Sequence, residues 1–277
     1  MQILKQHKSF GGVIRFFEHD STSTQTKMKF STFTPSGEVK GCVIWLSGLE
    51  CTEETFMIKS GAQRSLAAMG LMVICPDTSP RGLQLPGEHD SWDFGSGAGF
   101  YVDATTPGYR DNYRMYSYVA HELYSLIQRE FGVADRISIM GHSMGGHGAL
   151  VIGLREVGKF KSISAFAPIV NPSQVPWGMK AFTGYLGHDQ SAWSKYDAID
   201  LLRAGERHPQ PLLVDQGTAD GFLEKQLQTS CLKSECEARN QKLQLRFHEG
   251  YDHGYYFIST LIEDHVRFHH EHLVGKL

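Results

Sequence analysis

The sequence predicts an α/β domain: a mostly parallel central sheet with helices on both faces and an antiparallel hairpin at the N-terminus. Three observations carry this. Short β-prone runs such as residues 42–46 and 71–75 are continuously apolar, as expected of strands buried on both faces. Helical stretches alternate with these runs through the middle and end of the chain, which is the pattern of parallel strands joined by crossover helices. No internal repeat, low-complexity tract or linker interrupts the 277 residues, so a single domain over 1–277 is expected.

Residues 13–19 and 28–34 are short β-prone runs around a polar stretch, which predicts a hairpin at a sheet edge, closed by Pro35 and Gly37. The buried strand at 42–46 runs into Ser47, Gly48, Leu49, Glu50 and Cys51. A helix is predicted over 55–69, stopped by Gly70, and a strand over 71–75. From 76 to 109 the pattern breaks down into a long excursion punctuated by Pro80, Pro86, Pro107 and repeated glycines. Its Trp92, Phe94, Phe100, Tyr101 and Tyr109 predict an ordered loop packed over other structure. Met115, Tyr118, Val119, Leu123, Leu126 and Ile127 recur at helical spacing and define an amphipathic helix ending near Gly132.

Beyond Gly148 a strand is expected at 162–167, and the Pro- and Gly-rich segment 168–187 reads as a small cap. A short helix at 197–204, a strand at 211–215, a helix at 222–240 and a last strand at 243–248 follow. A helix over 255–273 closes the chain; its His265, His269, His270 and His272 read as solvent-facing surface. Asp197 and Asp200 read as solvated carboxylates at a helix start.

Composition narrows the function classes. Hydrophobic residues make up 41% and charged residues 21%, ordinary for a globular protein. Lys and Arg number 27 against 30 Asp and Glu, a net charge of −3, and no basic run is dense enough to point to nucleic acid or an anionic membrane. No stretch is long and apolar enough for a signal peptide or a membrane span. Five cysteines at uneven spacing fit free thiols in a reducing cytoplasm better than a disulfide framework. No metal or organic cofactor is implied.

The chemistry centres on the stretch from Ile137 to Leu150. A β-prone run enters Gly141-His142-Ser143-Met144-Gly145, and a small-residue helical pattern follows at once. This is the strand, sharp turn and helix of a G-x-S-x-G nucleophile elbow. Glycines flank Ser143 because the turn is strained and chain segments pass too close for a Cβ. The geometry would lift the Ser143 hydroxyl clear of the sheet and set the Met144 amide at a helix N-terminus, ready to donate to an oxyanion.

A serine needs a base, and the base an orienting acid. In α/β hydrolases the order is Ser, acid, His, with both partners on loops after later strands. Two carboxylates follow the strand at 211–215. Asp215 lies at the strand end, placed to point into the sheet edge or to bind local backbone amides; Asp220, in a Gly-flanked loop with room to aim at a histidine, is preferred. His253 follows the last strand on a Gly-flanked loop and is the expected base, while His248 falls inside the strand. His142 and His147, beside the serine, are expected to shape the elbow or line the site. The loop after strand 42–46 should supply the second oxyanion donor, the Leu49 amide. Trp177 is either a wall of the acyl pocket or core, and Cys51 either a buried inert thiol or an exposed group whose alkylation would block the site.

Blocks along nearly the whole chain, among them Trp45 to Leu49, Pro76 to Gly82, Asp93 to Tyr101, Gly141 to Gly148, Ser164 to Ile169, Pro176 to Gly178, Asp215 to Gly217 and Gly250 to His253, resemble the S-formylglutathione hydrolase (esterase D) family of the α/β-hydrolase superfamily. The resemblance implies a cytoplasmic serine thioesterase acting on S-formylglutathione in formaldehyde detoxification, with side activity on short-chain esters, commonly a homodimer. It places the triad on Ser143, Asp220 and His253 and the oxyanion amides on Leu49 and Met144. Two positions depart from the family pattern: Gly254 stands in place of the usual Ser, and Glu50 in place of the usual Thr. The alternatives are a general short-chain carboxylesterase with no glutathione role, an acyltransferase, and a non-catalytic binding module on the same fold.

Overall fold

The computed structural model describes residues 1–275. Nine strands form one sheet: β1 (Gln2–Ser9), β2 (Gly12–Asp20), β3 (Lys27–Thr34), β4 (Gly41–Leu46), β5 (Leu71–Pro76), β6 (Ile137–His142), β7 (Ile163–Phe166), β8 (Leu212–Gly217) and β9 (Leu243–His248). Their spatial order is β1-β2-β3-β5-β4-β6-β7-β8-β9. The first three are antiparallel, β3 pairs antiparallel with β5, and β5 through β9 run parallel. Strands β4 to β8 are buried at every residue, which is why β4 and β5 read as apolar runs.

The main helices are α1 (Thr55–Lys59), α2 (Gln63–Met69), α3 (Met115–Ser117), α4 (Tyr124–Phe131), α5 (Met144–Arg155), α6 (Pro176–Leu186), α7 (Ala198–Ala204), α8 (Thr229–Arg239) and α9 (Tyr255–Leu273). Helix α5 packs on β4, β6, β7 and α7, while α9 packs on β4, β6, β7, β8 and α2, so these two helices cover opposite faces of the sheet. The long excursion after β5 is ordered. Phe94, Tyr109 and Tyr113 gather around Tyr185 of α6 at ring separations of 4.5–5.3 Å, and the Tyr185 hydroxyl donates to Ala98 O at 2.9 Å.

Several expectations need correction. The hairpin does not form the sheet edge, because β1 lies outside it. That strand is exposed along almost its whole length and polar enough to carry no burial signal. The helix over 55–69 is broken at Ser60 and Gly61, where Gly61 takes φ +69° and Ser60 Oγ accepts from the Ala62 amide at 3.2 Å. The helix over 222–240 is likewise split at Gln228, which takes φ +52°. Asp197 is not solvated. It is wholly buried, accepting from the Ile199, Asp200 and Ser173 amides, and burial above all pushes its carboxyl up to about 6.

The largest correction concerns α9. His265, His269 and His270 are buried beneath the sheet rather than exposed. His269 bridges Ser162 Oγ and Ser164 Oγ at 2.7 and 2.8 Å, and His265 joins Ser164 Oγ at 2.8 Å to Asp215 Oδ2 at 3.2 Å. Serines on the neighbouring chain segments supply the partners that let imidazoles occupy an apolar layer. Burial holds His265 below, and His269 well below, the ordinary imidazole range; His147 is pushed down from 6.5 to about 4.

The sign of the linkage is set by these shifts. Above pH 6.5 such histidines are neutral both folded and unfolded; below it the unfolded chain binds protons that the folded chain refuses. Stability is therefore full above that pH and falls as the pH drops toward 4, by about 3 kcal/mol for His147 alone. Urea unfolding is expected to show a midpoint at pH 5 clearly below that at pH 7.5. Equal midpoints would contradict neutral burial of these rings.

Candidate active site

The nucleophile position is built by a backbone contact. A Cβ on Gly145 would lie 2.0 Å from Leu46 O, and one on Gly141 would lie 2.1 Å from Gly145 O, so only glycine fits on either side. Between them Ser143 is held at φ +59°, ψ −119°, a strained conformation for an L-residue. Its amide donates to Phe166 O at 3.0 Å, and its carbonyl accepts from the His147 amide at 3.0 Å, so the residue is pinned from both neighbouring elements.

The loop after β4 lies directly against it. A Cβ on Gly48 would come within 3.2 Å of Ser143 Cβ. Trp45 Nε1 donates to Ser47 Oγ at 2.9 Å and the Tyr101 hydroxyl to Ser47 O at 3.0 Å, while the Glu50 amide donates to Gly97 O at 2.9 Å and the Cys51 amide to Gly48 O at 3.3 Å. Among the described residues the amides of Leu49 and Met144 make no such backbone bond, which leaves two donors beside the serine.

After β8 and β9 the loops bring an acid to a histidine. His253 Nδ1 lies 2.6 Å from Asp220 Oδ2. A carboxylate only accepts, so Nδ1 carries a proton, and in the neutral ring this leaves the lone pair on Nε2. Asp220 is itself held: Gln216 Nε2 donates to Oδ2 at 3.1 Å and the Phe222 amide to Oδ1 at 2.9 Å, with Gln216 fixed in turn by Thr229 Oγ1 at 2.7 Å. Asp215 points elsewhere. Burial alone would raise its carboxyl, but hydrogen bonds from His265 and Arg246 (Nε 2.6 Å, Nη2 2.5 Å) outweigh that and hold it well below the usual carboxylate range.

Ser143 and His253 line one cleft of about 660 Å³. Gly48, Leu49, Glu50 and Cys51 form one wall, Thr55 and Lys59 of α1 the next, and Trp92, Trp177, Phe222 and Tyr255 the aromatic remainder. Trp92 meets Trp177 edge-on at 5.5 Å, Trp177 meets Phe222 at 4.7 Å, and Phe222 meets the His253 ring at 5.0 Å, a continuous aromatic path from the rim to the base. His142 lies against His253 at 4.5 Å with both ring nitrogens buried and unpartnered. Burial above all holds it well below the ordinary imidazole range. His147, by contrast, faces away and donates from Nε2 to Phe100 O at 2.9 Å. Cys51 is half-buried in the cleft wall, and burial raises its thiol despite a hydrogen bond from Thr55. Among the described residues no cluster of three or more His, Cys, Asp or Glu is arranged to hold a metal.

A family profile described as "Putative esterase" matches residues 21–268. Curated S-formylglutathione hydrolases from Rattus norvegicus and Bos taurus are 50% and 51% identical, over 98% and 96% of both chains respectively. The chain belongs to the S-formylglutathione hydrolase family. A solved S-formylglutathione hydrolase from Agrobacterium tumefaciens superposes with a TM-score of 0.96 at 46% identity, covering 99% of this chain and 100% of that one.

In this family member Ser143, His253, His142, Leu49, Cys51 and Trp177 line the cleft, Asp220 stands behind His253, and Met144 follows Ser143 at the start of α5, whereas His147 does not line the cleft. Sequence reasoning missed Trp92, Phe222, Tyr255, Thr55 and Lys59 as lining residues. Phe222 and Tyr255 sit two residues after Asp220 and His253, a proximity that would have flagged them. Thr55 and Lys59 mark the two ends of α1, four apart and so on one side of the helix.

Asp220→Asn keeps the shape of the loop but no longer fixes the Nδ1–H tautomer of His253. Ester hydrolysis should fall roughly 10³–10⁴-fold in kcat with little change in thermal midpoint. A loss below tenfold would remove Asp220 from the role.

Proposed function

We propose that this chain is a serine thioesterase that hydrolyses S-formylglutathione to formate and glutathione, with side activity on short-chain esters. The observation that carries the reading is the 2.6 Å contact between His253 Nδ1 and Asp220 Oδ2, which orients a basic Nε2 into the cleft that Ser143 lines. Ser143 Oγ attacks the formyl carbon while His253 Nε2 takes the hydroxyl proton. The tetrahedral oxyanion rests on the Leu49 and Met144 amides, each worth roughly 3 kcal/mol of barrier lowering if it acts as measured donors do. The C–S bond breaks, and the thiolate leaves with the proton from His253. Water then gives its proton to His253 and attacks the formyl-serine; formate departs as the proton returns to Ser143 Oγ. Atoms balance as thioester plus water to acid plus thiol.

The Trp177 and Phe222 rings narrow the cleft beside the base, which supports a small acyl group over a long one. The five free cysteines support a reducing, cytoplasmic setting. No helix of the described residues is long and apolar enough to cross a membrane. A single domain over 1–277 and assembly as a homodimer complete the reading, the dimer resting on the family resemblance alone.

Steady-state hydrolysis of S-formylglutathione and p-nitrophenyl acetate, compared between wild type and Ser143→Ala, tests it. Thioester turnover with a far higher kcat/KM than the aryl ester, reduced by orders of magnitude in the variant, is expected. Efficient aryl-ester cleavage with feeble thioester turnover would leave a general carboxylesterase instead.

A further inference from the structure

An S-acylglutathione carries two carboxylates and one ammonium group, whereas an aryl ester carries none. A cation where the thiol half of the substrate lies favours the first over the second. Most basic side chains around the cleft are already committed. Arg81 grips Asp77 through Nη2 at 2.7 Å and Nε at 3.1 Å, and its Nη2 also donates to Cys51 O at 3.1 Å. Lys180 binds Asp93 and donates to Ser91 Oγ at 2.7 Å. Arg110 stands at a different depression, formed with Thr22 and Ser23, beside Asp111 at 3.7 Å.

Lys59 is different. It is the one Lys or Arg in the cleft wall, it is exposed, and among the described residues it makes no ion pair or hydrogen bond. Its Nζ lies 5.8 Å from the centre of the Tyr255 ring, which itself lines the cleft two residues after His253. The single acid in the wall is Glu50, on the loop that carries the Leu49 amide, and it too is exposed and unpaired. The cleft wall thus carries one cation, on α1, that no protein carboxylate engages, and Trp177 and Phe222 line the same cleft.

We propose that Lys59 Nζ binds a carboxylate of the glutathione half of the substrate and so sets the preference for glutathione thioesters over neutral esters. This rests on the S-formylglutathione reading above. Lys59 does not touch the reacting atoms; it holds the leaving-group side equally in ground and transition states, so its loss raises KM and leaves kcat nearly untouched. A purely structural Lys59, balancing the C-terminal dipole of α1, would instead affect both substrate types alike.

The test compares wild type with Lys59→Gln, Lys59→Glu and Lys59→Arg on S-formylglutathione and on p-nitrophenyl acetate, at about 20 mM and about 300 mM NaCl. Inhibition of p-nitrophenyl acetate hydrolysis by S-methylglutathione is followed alongside. Expected is a rise in KM for the thioester of about fivefold in Lys59→Gln, larger in Lys59→Glu and nearly abolished in Lys59→Arg, with aryl-ester kcat/KM within about twofold of wild type. Added salt should raise the wild-type thioester KM and hardly move that of Lys59→Gln. An unchanged KM and inhibition constant in Lys59→Gln, or equal losses on both substrates, would overturn the proposal. Wild-type enzyme that fails on S-formylglutathione while S-methylglutathione inhibition still depends on Lys59 would sink the functional reading and keep the site.

Discussion

The structure depends on one close backbone approach, that of Gly145 against Leu46 O. Strands β4 and β6 are hydrogen-bonded neighbours, with Leu46 opposite Gly141, and the chain must turn from β6 into α5 within the space that this pairing leaves. No side chain fits at 141 or 145, and the residue between them is forced to φ +59°. Such a conformation costs of order 1–3 kcal/mol and persists only where the surroundings over-determine it. Here the Phe166 carbonyl, the His147 amide and the wholly buried first turn of α5 do so. Gly148 extends the same constraint, since a Cβ there would meet the Tyr101 ring at 2.6 Å, and Tyr101 in turn holds the loop that bears Leu49. Nucleophile position and oxyanion loop are therefore one packed unit.

Around that unit the C-terminal ends of β4, β6, β8 and β9 deliver their loops to one side of the sheet, where ligands of open α/β sheets bind. The two acids of β8 and its following loop show how environment divides roles. Asp215 is wholly buried and locked by Arg246 and His265 into a structural network that reaches Ser164 and His269. Asp220, five residues on, shares its Oδ2 between His253 and Gln216. Gln216 lies between them on β8, so the same strand that anchors the inert acid steadies the one behind His253.

Much of this was legible in the sequence, for identifiable reasons. Strands β4 and β5 announce themselves because burial on both faces leaves them without charged or hydroxyl side chains, and β9 and α9 are bounded at their observed ends by turn residues and helical spacing. Ser143, Asp220 and His253 were legible because the order of elements restricts where an acid and a base can stand. Strand β1 was not, since an edge strand whose residues all meet solvent carries no hydrophobic period. The histidines of α9 were misread as surface because residue type alone does not reveal that Ser162 and Ser164 wait beneath them. Lys59 was overlooked because a lysine on a short helix looks like any other until the fold turns α1 toward His253 and Tyr255.

The central claim is that the strained residue at the elbow is the nucleophile, and a serine-directed fluorophosphonate tests it most directly. The protein is treated with the reagent, digested, and its peptides mapped by mass spectrometry. The account predicts a single stoichiometric adduct on Ser143, abolished by prior unfolding in urea, with loss of hydrolysis in step with labelling. An adduct on another residue, or full loss of activity with Ser143 unmodified, would contradict it.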